Sequence, residues 1–173
     1  MLGFRRIQAS SVKPIGGSSL DIDDYSDVQL AFSLRKISSS YAGSLIRLRR
    51  DSDNAESDFG SGLSLGDFLD YSAIDTWAGG ANLFVVTWYD QSGEGNDASQ
   101  ATTGDQPAFI TSLVDSGFRV VSCDRVTSQN LEGGKSSGYF LDQGTALACY
   151  CVANFTDSAF STWMSISTSP GGS

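Results

Sequence analysis

With 173 residues and a net charge of −9, the chain suits one domain and repels phosphate backbones and anionic lipid, which makes nucleic acid and membrane surfaces poor partners. It contains no histidine, so Ser-His-Asp and Cys-His nucleophile systems, zinc sites of the HExxH kind and imidazole bases all drop out; catalysis would have to run on carboxylates. Hydrophobic residues make up 40% and charged residues 18%, a polar but weakly charged balance that points to a β-rich protein rather than a disordered chain.

The opening "MLGFRRIQASS" has no apolar h-region and no run approaches ~18 apolar residues, which predicts neither a signal peptide nor a transmembrane helix. Residues 1–27 mix Gly16, Gly17, Ser18 and Ser19 with the acidic "DIDDYSD" and show no period; they are expected to form an arm or linker. From Val28 apolar and polar positions alternate at Leu30, Phe32 and Leu34 and again at Leu45, Ile46 and Leu48, predicting two strands around the turn "SSSYAGS". The acidic "DSDNAESDFGSG" reads as loop. In "SLGDFLDYSAIDTWAGG", Ser64 as N-cap, Phe68, Leu69 and Ile74 at helical spacing, and Gly79 and Gly80 as stop predict one short helix.

Next, "NLFVVTWYD" is β-branched and aromatic with no breaker, the mark of a central strand. Short strands between turns follow at "PAFIT", "FRVVSC", "SGYFL", "ALACYCVANF" and "STWMSIS". This rhythm predicts an all-β sandwich or jelly roll over residues 28–168 with one short helix, ending in a flexible tail at 169–173. Three cysteines, Cys123, Cys149 and Cys151, cannot build a disulfide framework and predict folding in a reducing compartment.

The stretches "AFSLRKISSSYAGSLIRLRRDSDNAESDFG" and "TWYDQSGEGNDASQATTGDQPAFI", with the helix between them, resemble the amino-terminal part of the family-54 α-L-arabinofuranosidase catalytic domain. Phage and marine bacterial proteins with concanavalin A-like lectin or glucanase domains carry similar stretches. The likeness runs from Ala31 to Ile110 and implies a concanavalin A-like β-sandwich, in agreement with the strand pattern. It implies nothing of the enzymes' chemistry, because their nucleophile Glu and acid Asp lie downstream of the "YDQSG" block and no residue here matches either. The vicinal cysteine pair of that family's sugar site is also not reproduced, since Tyr150 separates Cys149 from Cys151.

Candidate sites are few. Asp90, Ser92 and Glu94, with Gly95, fit the first positions of a calcium loop, but Ala101 stands where the closing bidentate carboxylate belongs. The other reading is a rigid corner in which Gly93 and Gly95 allow positive φ, and Asp90, Ser92 and Asn96 bond nearby backbone N–H groups. Asp51, Asp53, Glu56 and Asp58 cluster in a polar loop, and Asp124, Glu132 and Asp142 are scattered; neither set makes a catalytic pair. Arg47 and Arg49 share one face of an amphipathic strand, expected to be its solvent side, and with Arg50 are expected to pair with the acidic loop. Trp77, Trp88, Tyr139 and Trp163 are the candidate glycan or interface contacts, each with core packing as its plainer role.

These features lead to an expected function: a non-catalytic phage virion structural protein (capsid decoration, tail or fibre component) displaying a lectin-like β-sandwich. It would assemble in the host cytoplasm with other virion proteins and copies of itself, use no cofactor and bind surface glycan weakly or not at all. The alternative is a carbohydrate-binding module or a degenerate arabinofuranosidase-like glycosidase.

Overall fold

The unbroken run around "LFVVTW" has no residue that favours a turn, and it forms the middle of a sheet. A computed structural model describes residues 21–25, 28–111, 117–124 and 127–133 of the chain. Its strands are β1 (Ile46–Arg50), β2 (Glu56–Phe59), β3 (Leu83–Trp88), β4 (Ala98–Ser99), β5 (Ala108–Thr111), β6 (Arg119–Ser122) and β7 (Glu132–Gly133), and its helix is α1 (Tyr71–Ala78). All pairings are antiparallel. β3 pairs with β1 on one side, and on the other with β4 at Thr87 and Trp88 and with β5 at Phe84. Beyond these neighbours β2 flanks β1, β6 flanks β5 and β7 flanks β4.

The fold class is the expected all-β sandwich type with one short helix among the described residues. Ile46, Leu48, Leu83 and Val85 face inward from the sheet and pack with Leu45, Leu69, Ile74, Ala78 and Phe109. Leu45, Ile46, Leu48, Ile74 and Val85 are each 0% exposed, and burying a side chain of this size stabilises by about 1.5–3 kcal/mol. A register shift between Arg47 and Leu48 against β3 leaves Val86 as the extra residue of a bulge, which adds local twist.

Four expectations need correction. The alternation at Leu30, Phe32 and Leu34 does not make a ladder strand, because side chains of the 90–96 corner take the backbone groups a neighbour would have bonded. The acidic stretch after β1 is only partly loop: its second half is β2, and the cross-strand partners Arg47 and Asp58 form an ion pair. Ser64 does not cap the helix; its N–H donates to Asp67, while Asp70 caps α1 by accepting from the Ala73 N–H at 3.0 Å. Gly79 ends the helix as expected, in the left-handed region at φ 60. The fourth concerns Arg49 and is described below.

Residues 21–25, assigned to the arm, form a short 3-10 turn bonded to the same chain. Ile22 N–H donates to Ile37 O at 2.8 Å, and Asp21 and Asp23 accept from the 38–40 loop. The predicted strands "SGYFL", "ALACYCVANF" and "STWMSIS" lie outside the described residues.

Candidate functional site

The corner after β3 is built around one carboxylate. Asp90 is 2% exposed. Its Oδ1 accepts from the N–H groups of Ala31 at 2.8 Å and Ser92 at 2.9 Å, and its Oδ2 from the Ser92 hydroxyl at 2.6 Å and the Asn96 N–H at 3.1 Å. Gly93 and Gly95 sit at φ 88 and 72, the positive φ such a tight corner requires. Gln91, 0% exposed, extends the clamp: its Oε1 accepts from Ile37 N–H and its Nε2 donates to the carbonyls of Ser33 and Arg35. Asn96 Nδ2 adds a bond to Gln29 O. The corner thus holds residues 29–37, of which 34–36 also bond backbone to backbone with 66–69, and Asp90 and Ser92, weighed as calcium ligands, spend their oxygens on this latch. Sequence reasoning missed Gln91, since a lone glutamine in a polar loop carries no signal of burial.

Four further carboxylates, Asp23, Asp51, Asp53 and Asp58, are also engaged. Asp58 takes a two-pronged contact from Arg47, at 2.8 Å to each oxygen, and a bond from the Tyr89 hydroxyl at 2.8 Å. Arg47 and then Tyr89 hold the Asp58 carboxyl below its ordinary range, against the opposing effect of burial. The Tyr89 phenol is pushed up to about 12 by burial first and by its bond to Asp58 second. Arg50 and the Ala55 N–H lower Asp53 to about 2. For Asp23, burial opposes the shift, but bonds from the Ser40 N–H and the Ser38 and Ser39 hydroxyls outweigh it and bring the carboxyl to about 2. Asp51 accepts from Asn82 through both backbone and side-chain nitrogens. Every resolved carboxyl shift runs downward, whereas a general acid needs its pKa raised. Chemically these groups tie loops to strands.

Arg49 corrects the amphipathic reading. It is 6% exposed, because the 100–107 segment covers its face of the sheet. Its guanidinium bonds Gln106 Oε1 at 2.7 Å, Asn54 Oδ1 at 2.9 Å and Thr103 O, and lies over the Phe84 ring. Arg47 and Arg50 behave as expected, pairing with Asp58 and Asp53. Of the aromatic candidates, Trp77 is half-buried edge-on to Phe59, with Arg50 over its ring. Trp88 is half-buried against Phe32, and its buried Nε1 has no partner among the described residues. Tyr139 and Trp163 lie outside those residues.

One cleft of about 440 Å³ opens between the end of α1 and strands β3 and β5. Leu83, Phe84, Phe109 and Ile110 supply its apolar lining, and Asn82, Asp75 and Arg119 its polar lining. Asp75 and Arg119 form an ion pair.

The family model of the α-L-arabinofuranosidase B catalytic domain matches residues 28–159. A probable α-L-arabinofuranosidase B of Aspergillus fumigatus is 32% identical over 111 residues, covering 64% of this chain and 21% of the relative. The α-L-arabinofuranosidase B of Aspergillus niger is 34% identical with the same coverage. A crystal structure of an arabinofuranosidase complexed with arabinofuranosyl-α-1,2-xylobiose is 32% identical, covers 47% of this chain and 19% of that chain, and has a TM-score of 0.41. The chain spans about a fifth of the length of the curated relatives it matches.

These matches overturn the expected phage virion protein, and with it the non-enzyme reading, the virion partners and the virion localisation. The physical reason is plain. Lack of histidine and an acidic surface exclude imidazole chemistry and nucleic acid, but a hydrolase working with two carboxyl groups needs neither a histidine nor a basic surface. A chain spanning a fifth of its relatives also gives no ground for reading unmatched catalytic carboxylates as lost. With 28–159 matched, the chain belongs to the α-L-arabinofuranosidase B catalytic domain family.

Proposed function

We propose that this chain serves a glycoside hydrolase acting on α-L-arabinofuranosides, and that the described residues are its scaffold rather than its acid–base pair. The family match over residues 28–159 carries the reading. The geometry agrees with the second half of it. Glycoside hydrolysis needs two carboxyl groups flanking the bond, about 5 Å apart for retention or about 6.5–9.5 Å for inversion, one of them with a raised pKa. Asp23, Asp53, Asp58 and Asp90 instead accept bonds that fix the 38–40 loop, the β1–β2 turn, the sheet face and the 90–96 corner.

The test is release of 4-nitrophenol from its α-L-arabinofuranoside by the purified chain, beside the β-D-xylopyranoside as control. Release from the arabinofuranoside is expected, and Asp58→Asn and Asp53→Asn should keep the rate within about threefold. No release at high protein concentration, or binding of the sugar without release, would overturn the hydrolase reading. A loss of about 10⁴-fold in either variant would overturn the scaffold assignment.

A further inference from the structure

We draw no further inference here: the strongest candidate, the surface patch between the loop before α1 and the start of β6 where the exposed rings of Phe68 and Phe118 meet beside the Arg35 guanidinium, is an apolar face, and nothing among the described residues shows what covers it.

Discussion

Replacing Asp90 with Asn tests the latch that holds residues 29–37. The carboxylate accepts four bonds, two on each oxygen, and an amide can keep only one oxygen in that role. If oxygen stays at the Oδ1 position, the new NH₂ faces the Ser92 hydroxyl, which can turn round and accept, and the Asn96 N–H, which cannot. A buried N–H without an acceptor costs about 1–3 kcal/mol, and hydrogen bonds to charged groups exceed neutral ones by roughly 1 kcal/mol each. The expected loss is therefore roughly 3–5 kcal/mol. Urea unfolding gives the magnitude, and hydrogen exchange at the Ala31 and Asn96 amides gives the location, with both exchanging faster than in the parent. A loss under about 1 kcal/mol, or slow exchange retained at both amides, would refute the latch.

Gly60→Ala should destabilise by about 2–4 kcal/mol or block folding, because Gly60 has φ 94 and a Cβ there would lie 2.7 Å from Leu45 Cγ and 2.9 Å from Leu69 Cδ2; a change under about 0.5 kcal/mol by thermal unfolding contradicts that crowding. Trp88→Phe should cost far less than Trp88→Ala, about 1 against about 3 kcal/mol, since the lost Nε1 takes no bond among the described residues and the ring is what packs; equal losses would mean that the N–H is bonded. Asp58→Asn should bring the Tyr89 phenol down from about 12 yet leave it above its ordinary value, because burial is the larger cause and persists; an unchanged ultraviolet titration refutes the contact. Asp23 has its folded pKa lowered to about 2, so its contribution is complete above the unfolded value of 3.8 and is lost as pH falls from there toward 2. Its carboxyl carbon should titrate near 2 by NMR, with the Ser40 amide moving in step; a midpoint at 3.8 or above counts against the loop contact.

Periodicity located what depends on side-chain spacing alone. The breaker-free run became β3, "PAFIT" and "FRVVSC" became β5 and β6, and Gly79 ended α1. It failed where a backbone's partner is a distant side chain. Nothing in "LAFSLR" announces that its N–H and C=O groups are bonded by Asp90 and Gln91, some 55 to 60 residues away. Arg49 was misread for a related reason: alternation puts it opposite Leu48, but only the later 100–107 segment decides that this face is covered too. Asp70 and not Ser64 is the N-cap, because Ser64 begins a turn of its own with Asp67. The cleft was not legible at all, since its lining comes from α1, β3, β5 and β6, which are far apart in the sequence. Function followed the same division: the motifs from Ala31 to Ile110 pointed to the right family, while an unmatched acid pair is no ground for a virion protein in a chain spanning about a fifth of its relatives.

The most direct test of the central claim is the appearance of L-arabinose, followed by NMR, when the chain is incubated with 4-nitrophenyl α-L-arabinofuranoside. The account predicts arabinose in step with 4-nitrophenol and in proportion to protein. A signal no greater than the protein-free blank would contradict it.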